Sequence, residues 1–319
     1  MIKKAILLMC FAGVGVNAQT ITQTFGSGAN AFSIDFVQIG NPGNAGDTLG
    51  PLGVQYGFAF GAVNYTYNIG KYEVSREMID KANLSEELEV TMYDMTRYGG
   101  NGANRPATGI SWYEAAKFVN YLNVSSGNAA AYKFDSNGIF QLWVQGEAGY
   151  NQNNQSRNSL AKYFLPSSAE WHKAAFGSPS GDWYKYPTGS NSAPIPVASG
   201  TDANTAVYLQ NNDAGPADAT NAGGLSLWGT MGQAGNVIEW TETGPDMERV
   251  TTAGGAWYGR GTVDDFPVDT SYIFDGLNQR ADDQNPYYGF RIAMVPEPSA
   301  LSLLAVGLGG LAMMRRRRS

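Results

Sequence analysis

Residues 235–241 read GNVIEWT, a glycine-led segment whose short apolar run ends at a tryptophan. Outward from it, residues 32–37 alternate apolar and polar side chains with a period of two, as a half-buried strand does. Segments 63–69 and 288–293 predict further short strands, and the glycine- and asparagine-rich stretch 177–231 predicts long ordered loops. Few helices among many short strands indicate an α+β fold and not a parallel doubly wound sheet.

Two capping boxes predict where helices begin. Ser111 is followed three residues later by Glu114, and Ser167 is followed in the same way by Glu170, so each side chain can satisfy the other's backbone N–H. A shorter helix is predicted from Ser75 to about residue 82. The inward face of the two capped helices, judged from three- and four-residue spacing, comprises Trp112, Ala115, Ala116, Val119, Leu122, Trp171, Ala174 and Ala175.

The N-terminus has the pattern of a secretory signal peptide. Lys3 and Lys4 precede an apolar run at 5–16 and a small-residue site that predicts cleavage after Ala18. The alternative, a buried N-terminal helix, is less favoured because lysines followed at once by an apolar run too short to span a membrane are typical of export.

The C-terminus combines three features. They are Pro296-Glu297-Pro298, an apolar stretch at 300–314, and the basic cluster Arg315, Arg316, Arg317 and Arg318. At ~1.5 Å per residue the apolar stretch reaches about 22 Å, less than the ~30 Å hydrocarbon core of a bilayer. The arginines are expected to stay on the cytoplasmic side. A transient anchor is therefore predicted, and a plain tail anchor is the alternative.

The composition excludes several classes of function. The chain has 21 basic and 28 acidic residues, for a net charge of −7, which disfavours nucleic acids and anionic membranes as partners. Its only cysteine is Cys10, inside the signal peptide, so the exported part has no disulfide, no cysteine nucleophile and no thiolate metal site. With His172 as the single histidine, no centre built from several histidines can form within the chain.

Five segments in order resemble the sulfatase-modifying-factor family, which includes the formylglycine-generating enzyme. They are residues 69–75, 105–115, 163–171, 235–241 and 289–291, and GGAW at 254–257 resembles the family's Gly-Gly-Ser-Trp element. The resemblance implies an irregular, loop-rich α+β fold related to C-type lectins. The C-terminal tail is similar to the PEP-CTERM sorting signal, which implies processing by an exosortase.

These patterns predict four parts of the chain. Residues 1–18 are the signal peptide, 19–59 a strand and loop extension, 60–295 the sulfatase-modifying-factor-like domain, and 296–319 the sorting tail. We therefore expect an exported protein, at the cell envelope, surface or outside the cell, with signal peptidase and an exosortase-type enzyme as processing partners.

The chain departs from the family where the family performs catalysis. Formylglycine-generating members hold copper with two cysteines soon after the Gly-Gly-Ser-Trp element, whereas this chain reads YGRGTV at 258–263. Cu(I) prefers thiolates, and iron-dependent relatives need several histidines. The resemblance thus implies a non-catalytic member, without copper, iron or a thiol cofactor.

The resemblance also implies a calcium loop. Family members hold Ca²⁺ in the Gly-Asn-Val-x-Glu-Trp segment, so the candidate ligands are Gly235 and Val237 through their carbonyls and Glu239 through its carboxylate. Gly232 stands where the family often has Asp or Asn. The alternative is that Glu239 only hydrogen-bonds the loop.

Aromatic residues divide into core candidates and ligand candidates. Trp112, Trp171, Trp240 and Trp257 lie in the motifs and are predicted to be core. Trp183 and Trp228 lie in loops and could stack on a sugar, and Trp143 suits either role. His172 is expected to face solvent, and Arg291 to pair with a buried acid.

The function predicted from these observations is a surface or extracellular binding module that recognises polysaccharide or an envelope protein. Two alternatives stay open. One is an enzyme of the same family that uses carboxylates or a metal supplied by a partner, and the other is a structural matrix protein.

Overall fold

The longest strand is the one that the sequence alternation predicts. In this computed structural model, which describes residues 20–48, 60–86, 88–244, 248–258 and 279–296, it covers Phe32–Ile39. The signal peptide and sorting-tail residues 297–319 lie outside those ranges. Pro296 follows the last strand and is half-buried.

The strands, in chain order, are β1 Thr20–Phe25, β2 Phe32–Ile39, β3 Tyr67–Gly70, β4 Lys133–Phe134, β5 Phe140–Gln141, β6 Tyr163–Phe164, β7 Ile195–Pro196, β8 Thr205–Ala206, β9 Ile238–Trp240, β10 Arg249–Val250, β11 Thr252–Ala253, β12 Gln279–Arg280, β13 Tyr288–Gly289 and β14 Ala293–Met294. The helices are α1 Arg76–Glu86, α2 Trp112–Ser125 and α3 Ser168–Phe176. Most strands have only two residues, and loops connect them, so the predicted loop-rich α+β arrangement is present.

A five-stranded sheet in the order β1-β2-β3-β14-β6 forms the framework. All its neighbours are antiparallel. The sheet joins both ends of the described chain. The first strands, β1 to β3, lie beside the last strand, β14, which is inserted between β3 and β6. The segment predicted as a strand at 63–69 becomes extended only from Tyr67, because Val63 instead exchanges hydrogen bonds with the Gly43 amide and the Asn44 side chain.

A second sheet brings three of the motif segments of the sequence together. In it β9 pairs antiparallel with β11 and parallel with β13. The 235–241 segment therefore lies directly beside the segment that contains Arg291.

Both predicted capping boxes are present. Ser111 accepts from the Glu114 amide while the Glu114 carboxylate accepts from the Ser111 amide, and Ser167 with Glu170 repeats the arrangement at α3. The residues predicted to face inward on α2 and α3 are buried. Among the described residues, no helix has the length and apolar character needed to cross a membrane.

The four motif tryptophans lie in the core, as predicted, with no solvent exposure. Each indole N–H has an acceptor, which a buried polar group requires. Trp112 donates to the Thr241 carbonyl and Trp240 to the Ile110 carbonyl. These reciprocal bonds fasten the start of α2 to the end of β9.

Candidate functional site: two clefts and a set of buried charges

The carboxylate of Glu239 is held by Arg291 at the centre of the domain. Arg291 Nε lies 2.6 Å from Glu239 Oε2 and Nη2 lies 2.6 Å from Oε1, a bidentate pair in which neither side chain is exposed. Trp171 Nε1 donates to the same Oε2 at 2.8 Å. The prediction that Arg291 pairs with a buried acid is confirmed.

The loop before β9 surrounds a second carboxylate, that of Glu73. Asn236 Nδ2 donates to it at 2.9 Å, and the Val237 backbone amide also donates to it. Burial, followed by repulsion from Glu239, raises the pKa of Glu73 to about 8, while Arg291 and these donors oppose the rise. The loop thus presents N–H donors to Glu73, an acid that ionises only at an unusually high pH.

Glu239, the one side-chain ligand predicted for calcium, is engaged by Arg291 and so does not fit the ion. Both Glu239 oxygens accept from Arg291, and Val237 faces Glu73 with its amide. At Gly232, whose φ is +84°, an added Cβ would lie 2.8 Å from the Glu73 carboxyl carbon, so an Asp or Asn there would collide with that side chain. In the part of the chain that the structure describes, no group of three acidic, histidine or cysteine side chains could hold a metal.

His172 is buried, which corrects the expectation that it faces solvent. Its Nε2 lies 3.1 Å from Asp47 Oδ2, and its ring packs against Phe176 and Trp183 at centroid distances of 4.8 and 5.3 Å. Burial lowers the pKa of His172, and the bond to Asp47 only partly opposes that effect. The burial of His172 could not be predicted from the local sequence, because its partner Asp47 lies 125 residues away, in the N-terminal extension that covers α3.

The loop tryptophans differ from one another. Trp228 is only 6% exposed and packs in a core cluster with Val37, Ile39 and Tyr67, so the expectation that its ring faces a ligand is corrected. Trp183 is half-buried and its ring lies against His172, with Nε1 donating to the Ala45 carbonyl. The half-buried Trp143 donates to the Ala131 carbonyl.

An open cleft of about 410 Å³ lies beside the start of α3, and we call it the amide cleft. Amide and hydroxyl side chains dominate its lining, together with Leu142 and Glu242. The amide and hydroxyl members are Gln152, Asn153, Asn154, Gln155, Ser156, Ser167 and Thr243. None of these described lining residues is basic.

Glu242 lies at the edge of the amide cleft in a network of buried charges. Its Oε2 accepts from the Tyr132 hydroxyl at 2.6 Å, and its Oε1 accepts from Asn154 and lies 3.3 Å from Arg157 Nε. Burial raises the pKa of Glu242, although Arg157 and the two hydrogen bonds oppose the rise. Three donors therefore engage both of its oxygens.

A second open cleft, of about 430 Å³, is also lined by Ser167, and we call it the tyrosine cleft. Its walls are Gly43 and Asn44 from the N-terminal extension, residues 62–65, and Ser167 with Ala169 at the start of α3. Tyr65 is 43% exposed there, and its hydroxyl donates to Glu170 Oε1 at 2.7 Å.

Sequence reasoning missed both clefts. A signal for the first was available, since residues 151–156 read NQNNQS, a dense run of amides. The tyrosine cleft had no such signal, because its walls come from segments more than a hundred residues apart along the chain.

Comparison with known proteins identifies the fold. The sequence model of the sulfatase-modifying factor enzyme 1-like domain matches residues 62–295. Among solved structures, the chain is similar to variable protein 1 of Treponema denticola, at 18% identity and a TM-score of 0.55, over 86% of this chain and 99% of that one. No curated protein sequence matches the chain.

Two further structures share the fold. CarF matches at 18% identity and a TM-score of 0.57, over 83% of this chain and 99% of its own. PvdO from Pseudomonas aeruginosa matches at 15% identity and 0.51, over 86% and 98% respectively. Likeness at these identities shows the fold alone, and it confirms the α+β, loop-rich class predicted from the sequence.

Proposed function

We propose that this chain, which belongs to the sulfatase-modifying factor enzyme 1-like domain family, is an exported binding module. It recognises a neutral polysaccharide through the amide cleft. The lining of that cleft is the observation that carries the proposal. Amide groups offer donors and acceptors side by side, and sugar hydroxyls need both.

The size and polarity of the cleft favour a sugar over other ligands. About 410 Å³ lies within the range of small-molecule sites, but such sites are usually lined by apolar side chains, and this one is not. An apolar ligand would leave the amides without partners, at a cost of about 1–3 kcal/mol for each buried group.

The charge of the cleft favours a neutral ligand. The described lining residues include no basic side chain, and Glu242 is already balanced by Arg157. An anionic polymer would find no counter-charge there, and it would approach a chain of net charge −7.

The residue inventory supports binding in preference to catalysis. After Cys10 the chain contains no cysteine, so the thiolates that the family's copper chemistry requires cannot be supplied. Glu242 is the acid nearest to the amide cleft, and three donors engage its two oxygens. That arrangement suits a positioned hydrogen-bond acceptor more than a proton carrier.

The ends of the chain support an extracytoplasmic location. The pattern at 1–18 and the tail from Pro296 to Arg318 favour processing by signal peptidase and an exosortase-type enzyme. Mass spectrometry of the protein recovered from the cell surface should find a chain that begins near Gln19 and ends near Pro298. Recovery of the whole chain from the cytoplasm would contradict this part of the proposal.

The binding test compares variants of the processed protein, purified from the producing cells. We expect Gln152→Ala, Asn153→Ala and Gln155→Ala, combined, to weaken binding to the host's extracellular polysaccharide at least tenfold, since each lost hydrogen bond contributes about 0.5–1.5 kcal/mol. All three side chains are exposed, so the fold should persist.

A matched control replaces two exposed amides that do not line the cleft, Asn104 and Asn221, with alanine. This control should bind like the unmodified protein. Equal binding by the cleft variant and the control would overturn the assignment of the site, and absence of polysaccharide binding in the unmodified protein would overturn the proposed function.

A further inference from the structure

The tyrosine cleft is built partly by residues outside the family domain. The family match begins at residue 62, whereas Gly43 and Asn44 belong to the preceding extension. Asn44 fixes this wall: its Nδ2 donates to the Gly61 carbonyl at 2.9 Å and its Oδ1 accepts from the Val63 amide at 3.2 Å. The extension is therefore a defined part of the surface beside α3.

Tyr65 presents a fixed aromatic ring in this cleft. Its hydroxyl bonds to Glu170, whose other carboxylate oxygen accepts from the Ser167 amide at 2.7 Å. The edge of its ring also packs with Tyr67, at a centroid distance of 6.1 Å and an angle of 70°. A half-exposed ring held from both ends is a suitable surface for the C–H face of a pyranose.

The two clefts meet at Ser167, which lines both of them. From this shared residue we infer that they form one groove across the start of α3, and that the groove holds a linear chain of several sugar units. Hydrogen bonds in the amide cleft would hold one part of the chain, and the Tyr65 ring would stack on another.

Three backbone amides at the start of α3 are engaged within the protein. The Ser168 amide donates to Thr243 Oγ1 at 2.9 Å, the Glu170 amide donates to Ser167 Oγ, and the Ser167 amide donates to Glu170 Oε2. Because these donors already have partners within the protein, a neutral saccharide suits the groove better than a phosphate or sulfate ester does.

This inference rests on the proposed function and is tested by the dependence of affinity on ligand length. The probes are fragments of the host's extracellular polysaccharide, two and six sugar units long, titrated into the processed protein by calorimetry. The six-unit fragment should bind at least tenfold more tightly than the two-unit fragment, because it alone reaches both clefts.

Two variants should remove the increase in affinity with ligand length, each by a different means. Tyr65→Ala deletes the ring, and Ala62→Arg fills the tyrosine cleft from an exposed position without removing a contact. Each should bind the six-unit fragment no better than the two-unit fragment. The controls are Tyr93→Ala, at a tyrosine that is 42% exposed elsewhere, and Ala103→Arg, also at an exposed position.

The outcomes separate the inference from the proposed function. If the amide-cleft variant loses binding but length has no effect in the unmodified protein, the function stands and the single groove is refuted. If Ala62→Arg binds the six-unit fragment as the unmodified protein does, the groove is likewise refuted. If neither fragment binds the unmodified protein, both proposals fail.

Discussion

Arg291 and Glu239 join three segments that lie far apart in the sequence. Besides its bidentate bond to Glu239, Arg291 donates to the carbonyls of Gly70 and Met231. Its guanidinium is thus satisfied without water, which a buried cation requires. The sequence predicted a buried acid as its partner, but not which one, because several acids stood within reach of a strand whose register was unknown.

Removal of one member of this pair should strongly destabilise the fold. Arg291→Leu leaves the Glu239 charge buried and unpaired, at an expected cost of about 3–5 kcal/mol in urea unfolding. The matched control is Arg280→Leu, since Arg280 bonds to Asp282 at the same 2.6 Å but with 70% of its side chain exposed. The control should change stability little, because an ion pair exposed to solvent contributes weakly. Equal costs for the two variants would contradict the role given to burial.

Glu73 should make stability depend on pH. Its pKa is raised from 4.5 to about 8 in the folded protein, so its contribution is fully present below pH 4.5 and is lost as pH rises through 8. Glu73→Gln removes that titration while keeping an acceptor for Asn236. The stability of the unmodified protein relative to this variant should therefore fall between pH 5 and pH 9. A constant difference in the free energy of unfolding would refute the raised pKa.

At the scale of elements, local signals were predictable and distant contacts were not. Ser111 and Ser167 predicted both helix starts, because a capping box lies within four residues of sequence. The burial of His172 and Trp228 was missed, because the N-terminal extension and β2 cover them, and nothing local encodes that contact. The two clefts could not be predicted for the same reason, since they form where loops distant in the sequence meet.

The capping box of α2 should contribute measurably to stability. Ser111→Ala removes the acceptor for the Glu114 amide and is expected to lower the free energy of unfolding by about 1 kcal/mol. Ser159, an exposed serine outside any helix, provides the control, and its replacement by alanine should change stability by less than about 0.5 kcal/mol. Indistinguishable urea midpoints for the two variants would contradict the assigned cap.

The loop before β9 gives a prediction about calcium. Because Arg291 occupies the Glu239 carboxylate and Val237 donates to Glu73, we expect a chelator to leave the melting temperature unchanged. Differential scanning calorimetry with excess EDTA, and again with added Ca²⁺, measures this. A melting temperature that falls with EDTA and recovers with Ca²⁺ would restore calcium to Gly235, Val237 and Glu239.

At the scale of the whole molecule, the family fold is a framework on which this chain builds a polar surface. The core motifs are occupied by tryptophans and buried ion pairs, and both polar clefts lie among the loops around the start of α3. The N-terminal extension adds one wall to that surface. The central claim is therefore that a saccharide binds across Ser167 and not at a metal or a thiolate centre.

A crystal structure of the processed protein with a six-unit fragment of the host polysaccharide tests that claim most directly. The account predicts sugar density in the amide cleft, within hydrogen-bonding distance of Gln152, Asn153 or Gln155, with one ring on Tyr65. Density confined to another surface, such as the one around the exposed Tyr93, would contradict it.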